Sequence, residues 1–396
     1  MKKILLTTSA IFLGISAFTQ TAYADQDTNA LILQKLEALQ KQVAAQNTEI
    51  ARLKANAGNH SSLGEGEDDI EEYLIEHEEG FHLSKIKVGG WADFVYEDND
   101  IDGNDQVTSP DSFFLTFSSQ LDEKWSFLGE LGFEGGPFGA EEENKGEFRI
   151  ERLYLQYEHS ELLNARIGKF STPVGLWVPE HWAFNVPSVN TPFFIDEEAS
   201  LVPLYNIGVE GYGKYSFSSE GAWVPDIEYH AWVSGGDALD GSIKPGDDEL
   251  AHGINVNATF NEMALIGLGV NRRSNPDQLG RRELSLVPHF ELYLPQDITL
   301  AGEYVAQDRS EGFDDVEAWY ASAKWDFQDN MYAYYRRDQG ENGGQGLGQN
   351  EDSNTFTLGY SPKPFIRTKI EYSMHEFEAT SVEDFNKFSA WIGVAF

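Results

Sequence analysis

From Ser84 to the last residue the chain alternates apolar and polar positions with a period of two. Ile86, Val88, Ala92, Phe94 and Tyr96 stand against Lys87, Trp91 and Asp93; Trp125, Phe127, Leu131 and Phe133 stand against Lys124, Ser126, Glu130 and Glu134. Ile366, Thr368, Ile370, Tyr372 and Met374 repeat the pattern against Arg367, Lys369, Glu371 and Ser373. Successive side chains of a strand point to opposite faces, so each segment has one apolar and one polar face. A soluble sandwich also alternates in this way. Continuous alternation over about 310 residues, in segments near ten residues, fits a barrel with lipid outside and a polar lumen better.

The pattern predicts an all-β fold, a transmembrane antiparallel β-barrel of about 16 strands. The candidate strands are approximately 85–97, 111–121, 124–134, 148–158, 163–171, 207–217, 223–234, 251–260, 263–273, 282–294, 298–307, 316–327, 331–338, 353–361, 364–376 and 386–396. Their connections alternate in length. Asp122-Glu123, Asn261-Glu262 and Pro362-Lys363 are tiny, while 135–147, 235–250 and 339–352 are long and rich in Gly, Asp and Glu. Short periplasmic turns and long outer loops are what an outer-membrane barrel requires. Phe148 and Ile150 fall out of phase with Leu153, which points to a bulge and leaves 14 or 18 strands open. The chain ends on an alternating run, Phe388, Ala390, Ile392, Val394 and Phe396, similar to the terminal-strand signal read by the barrel assembly machinery.

The first 84 residues read differently. Lys2 and Lys3, an apolar core from Ile4 to Phe18 and the small-residue site Ala22-Tyr23-Ala24 make residues 1–24 a signal peptide. In the segment 25–57, Leu36, Val43 and Ile50 recur at heptad positions a, with Ile32, Leu39, Gln46 and Leu53 at d. This predicts a periplasmic α-helical coiled coil that joins copies into a homotrimer, although one amphipathic helix packed on the rest would read alike. Residues 58–84 form an acidic linker. His60, His77 and His82 lie among its carboxylates without the spacing of a metal site.

The third long connection, 172–206, has 35 residues, five of them proline, with Trp177, Trp182, Phe184, Phe193 and Phe194. Proline and bulk at this density exclude strand and favour compact burial. The loop either folds into the barrel and narrows it or caps the outer loops. It carries Glu180, Asp196, Glu197 and Glu198 and no Lys or Arg. Parity directs Arg152, Arg166, Lys214, Arg367 and Lys369 inward. Facing the acidic loop, these bases would set a transverse field across a constriction. Alternatively they pair with lumen acids such as Glu130, Glu151 or Glu371.

The run Gly168-Lys169-Phe170-Ser171-Thr172-Pro173-Val174-Gly175 is similar to the G-K-F-x-T-P-F-G pattern of the phosphate-selective porin superfamily, with Val174 replacing the aromatic. The layout of signal, coiled coil and barrel resembles the DcaP-like group of trimeric porins. The resemblance implies a porin; the family's phosphate selectivity relies on loop cations that are missing here.

Composition narrows the remaining readings. The chain has 66 acidic and 28 basic residues, a net charge of -38, so no nucleic-acid partner is expected. There is no cysteine, which excludes a thiol nucleophile and a zinc–thiolate site. Catalytic motifs are missing as well, and the expected function is a water-filled channel for passive diffusion of small hydrophilic solutes or ions, not an enzyme. A structural tether or adhesin without an open pore is the alternative. Expected partners are further copies of the chain, outer-membrane lipid and lipopolysaccharide. No cofactor is expected, apart from a weak Ca2+ site at Asp98, Asp100 and Asp102. Those residues match half of a calcium loop, but its twelfth position is Ser109 instead of Glu; a solvated acidic loop is the other reading.

Overall fold

The structure is a computed structural model describing residues 86–101, 106–134, 147–192, 194, 201–217, 224–237, 250–261, 263–275, 281–310, 314–341, 350–378 and 383–396. The signal peptide, the coiled coil and the acidic linker lie outside the described residues, as do Asp102, Asp196, Glu197 and Glu198.

Sixteen strands form one closed antiparallel barrel. They are β1 (Ile86–Asn99), β2 (Val107–Gln120), β3 (Trp125–Glu134), β4 (Glu147–Ser160), β5 (Leu163–Ser171), β6 (Tyr205–Tyr215), β7 (Asp226–Asp237) and β8 (Ala251–Phe260). The second half comprises β9 (Ala264–Asn275), β10 (Arg281–Leu294), β11 (Ile298–Arg309), β12 (Val316–Gln328), β13 (Met331–Glu341), β14 (Asn350–Lys363), β15 (Ile366–Phe377) and β16 (Phe385–Ala395). A single helical turn, α1 (Trp177–Glu180), interrupts the third long connection. Each strand pairs with its sequence neighbours, and β16 closes on β1 in a register running from Trp91 opposite Ala395 to Asn99 opposite Lys387. Beyond that register the Gly90 and Phe396 amides exchange hydrogen bonds of 3.0 and 2.9 Å. A Cβ at Gly90 would lie 2.1 Å from the Phe114 carbonyl oxygen, so only glycine admits this close approach.

The two faces invert the arrangement of a soluble protein. Phe94, Ile167, Val209, Ile266, Leu358, Ile370 and Ile392 are exposed on the outer wall. Glu130, Glu210, Arg273, Glu283, Glu303, Arg336, Lys369 and Glu371 are buried inside. Apolar side chains facing out around a polar interior suit a wall surrounded by hydrocarbon.

The strands depart from strict alternation where the sequence demands it. Glu130 pairs with Arg152 and Leu131 with Ile150, so β4 carries one extra residue. Glu151 and the neighbouring Arg152 both turn inward, and Phe148, Ile150 and Leu153 all stay outside. Strand β2 begins at Val107 rather than near residue 111. A bulge of Asp111 and Ser112 opposite Asp93 follows Pro110, which pairs with Phe94, and the Asp93 carboxylate accepts the Ser112 amide at 2.7 Å. The β14–β15 turn falls after Lys363, not at Pro362-Lys363. There the register shifts between Tyr360 and Lys363, which accommodates a proline that has no amide to donate.

Candidate functional site

The described residues of the third long connection lie in the lumen, and its ends meet where Thr172 N donates to Leu204 O at 2.9 Å. Gly175 has φ of 72°, and a Cβ there would lie 2.1 Å from Oε2 of Glu303 on β11. Glycine therefore allows both the left-handed turn and the approach of the carboxylate. Glu303 Oε1 accepts the Leu176 and Trp177 amides at 2.9 and 2.8 Å and the Tyr320 hydroxyl at 2.8 Å.

A second anchor holds the middle of the loop. Arg336 on β13 donates to Ser188 Oγ at 2.8 Å and to the carbonyls of Asn190 and Thr191 at 2.9 and 3.0 Å, while its Nε meets Asp338 at 2.8 Å. Lys369 on β15 donates to the carbonyls of Ala183 and Ser188, and Arg367 to that of Phe184. Glu371 accepts the Val189 and Asn190 amides at 2.7 and 2.9 Å. Irregular backbone inside a protein needs partners for its amides and carbonyls, and here charged strand residues supply them.

Apolar side chains secure the loop as well. Val174, Trp177, Val178, Val186, Phe194, Leu201 and Val202 form a core with Val287, Val305 and Tyr320 of β10–β12. Phe184 packs on Val95 and Trp391, next to the β1–β16 closure. The loop thus reaches walls on different sides of the lumen.

Between the loop and the short-turn end lies a cavity of about 820 Å³, lined by Arg152, Arg166, Glu180, Glu228, Glu291, Lys324, Asp326 and Arg367 among others. Arg152 meets Glu130 at 2.8 Å and lies over the Trp182 ring; Arg166 meets Glu210 at 3.3 Å and lies near the Tyr154 and Tyr212 rings. Lys324 pairs with Asp326 at 2.9 Å. Glu180 is exposed and accepts from Asn185 Nδ2 at 3.3 Å. Four of the residues nominated from the sequence, Arg152, Arg166, Arg367 and Glu180, share this cavity. Lys369 is buried against the loop, and Lys214 pairs with Asp226 at 2.9 Å at the short-turn end of β6.

The remaining nominated residues among those described lie elsewhere. At the rim, Asp98 accepts from Gln106 at 3.3 Å, and Asp100 accepts the Asn386 amide and side chain at 2.6 and 2.7 Å. Phe396 sits at the closure, with its ring stacked on Phe113. Sequence reasoning missed Glu303 and Arg336 as loop anchors, although parity along β11 and β13 would have pointed both inward.

The loop's one described histidine is buried. A carbonyl can only accept, so His181 Nδ1 donates to Val178 O at 2.7 Å and Nε2 accepts from the Tyr205 hydroxyl at 2.8 Å. Burial above all pushes its pKa down to about 4, with nearby Arg152 acting in the same direction and the bond to Val178 against it.

A closed sixteen-strand barrel with a loop in its lumen is the fold of outer-membrane porins and channels. The chain is similar to the anion-selective porin from Comamonas acidovorans, with a TM-score of 0.56 and 10% identity over 78% of this chain and 99% of that one. Salmonella typhi OmpF gives 0.56 and 11% over 80% and 99%. The outer membrane channel DcaP of Acinetobacter baumannii gives 0.53 and 10% over 78% and 97%. No family model and no curated protein matches the chain.

Proposed function

We propose that the chain is an outer-membrane porin, a water-filled channel for passive diffusion of small hydrophilic solutes or ions. The observation that carries this reading is the cavity of about 820 Å³ inside a closed barrel, lined by charged and polar side chains. Such a lining suits hydrated solutes. The reading is of a channel and not of an enzyme. The run Gly168 to Gly175 supports kinship with the phosphate-selective porin superfamily, without its selectivity. The heptads at 25–57 support a DcaP-like periplasmic coiled coil and a homotrimer. Single-channel recording in planar bilayers is the test. A stable open step is expected; a silent, folded protein would favour the tether or adhesin.

A further inference from the structure

We propose that the cavity under the loop binds an uncharged, hydroxyl-rich solute of the sugar class, seated on the wall from β5 to β8. The proposal rests on reading the barrel as a channel and names the class of solute that the channel takes. Cross-strand pairing sets His230 on β7 between Tyr212 on β6 and Asn255 on β8, and Glu228 directly opposite Asn257. His230, Glu228, Asn255 and Asn257 all line the cavity, with Arg166 and Ser171 of β5 further along the wall. Cross-strand neighbours stand about 5 Å apart, so one sugar ring can reach two of them at once.

Charge on this wall is matched within the protein, because Arg166 meets Glu210 at 3.3 Å and His230 bridges Glu210 and Glu228 at 2.7 and 3.0 Å. Hydrogen-bonding capacity is not. Among the described residues, Asn255 Oδ1, Arg166 Nε and Ser171 Oγ are buried atoms without a hydrogen-bond partner. Asn255 is 2% exposed, and its Nδ2 donates to Asn257 Oδ1 at 3.3 Å, so only its carbonyl oxygen is left over. The three atoms are an acceptor, a donor and a hydroxyl that is both. An anion brings acceptors and leaves Asn255 unmatched; an ammonium group brings donors and leaves Arg166 unmatched. A hydroxyl donates and accepts, so a polyol meets all three with one kind of group, and unmatched buried polar atoms are costly.

Aromatic side chains supply the apolar part of the site. Tyr154 and, across the cavity on β13, Tyr332 belong to the same lining. The Tyr332 ring covers Gly359, where a Cβ would lie 2.0 Å from it, and its hydroxyl donates to Pro187 O at 2.8 Å. The ring is therefore held against the wall, as a surface on which the C–H face of a sugar can pack. The volume of about 820 Å³ falls within the range of about 300–1,000 Å³ usual for small-molecule sites, where a few placed polar groups fix a ligand against apolar walls.

The test adds sucrose to either side of the full chain in planar bilayers, with a methyl-capped polyethylene glycol of matching size as a solute that only accepts hydrogen bonds. Sucrose should interrupt the ion current saturably, and more readily from the short-turn side, whereas the capped glycol should only lower conductance in proportion to its concentration. Asn255→Leu with Ser171→Ala should raise the half-blocking sucrose concentration about tenfold. Glu123→Gln, in an exposed turn, should leave it unchanged. Heat-modifiable migration on gels verifies that each variant is folded. Equal block of the folded double variant, or equal saturable block by the capped glycol, would overturn the proposal. Equilibrium dialysis of radiolabelled sucrose against the detergent-solubilised protein is read in parallel. A conducting protein that sucrose neither blocks nor binds refutes the site alone. A silent protein that binds sucrose, and loses it in the double variant, refutes the channel alone.

Discussion

Gly175 and His181 show how little freedom single positions of the loop have. A side chain at Gly175 would push on a carboxylate that already accepts two loop amides and a hydroxyl. His181 is constrained by charge instead of space. Its folded pKa of about 4 lies below the usual value near 6.5. The native loop therefore binds fewer protons than a released one, and the stability of the docked loop falls as pH drops from about 6.5 to about 4. Trp182 stacks on the imidazole at 4.4 Å and offers a reporter. Acidification through this window should change tryptophan emission, and His181→Gln should abolish that change while leaving the neutral-pH spectrum intact.

At the scale of the loop, Arg367 and Lys369, which the sequence suggests for solutes, are engaged by loop carbonyls. Arg336 alone satisfies a hydroxyl and two carbonyls while paired with Asp338. Arg336→Met should cost about 3–5 kcal/mol, because Asp338 is left buried without its partner. The expected readout is a larger and noisier single-channel conductance as the loop loosens; unchanged conductance in the folded variant would show that the apolar core alone holds it. Parity in the sequence was sufficient to place Arg152, Arg166 and Arg367 on the lumen face, because a period of two fixes direction whatever the partner. It was not sufficient to assign their partners, because those depend on the path of an irregular loop. Lys369 illustrates the gap: its inward direction follows from Ile370, but its bonds to Ala183 and Ser188 span more than 180 residues of chain.

At the scale of the whole molecule, three bases that line the cavity among the described residues are offset by acids: Arg152, Arg166 and Lys324 face Glu130, Glu210 and Asp326. Arg367 donates to a loop carbonyl and keeps its charge, while Glu180, Glu228, Glu291 and Asp329 line the same cavity. The pore should therefore favour cations or neutral solutes over anions. A Debye length of about 10 Å at 0.1 M salt leaves such fixed charge poorly screened in a narrow passage. Reversal potentials in a KCl gradient measure the preference, and Glu180→Gln should shift them toward anions. The wall itself was legible almost strand by strand, because lipid outside and polar groups inside impose a repeat that a soluble core does not. The displaced edges, at Val107 and after Lys363, each have a proline and a register shift close by, whose position alternation alone does not reveal. Deleting Phe396 removes both hydrogen bonds exchanged with Gly90 and should lower outer-membrane levels while leaving export intact, as cell fractionation would show.

That closure also orders events in time. The strands that complete the ring, β1 and β16, are separated by nearly the whole described chain, and the loop's clamps at Glu303, Arg336, Lys369 and Glu371 all lie C-terminal to it. Long-range pairings form slowly, since chain entropy is lost before the contacts return it. The loop can dock fully only once β11 to β15 exist, and the seam can close only once β16 has formed. A chain in which β16 has not yet formed therefore cannot close the ring, so the closing strand sets how long both edges of the sheet stay unpaired.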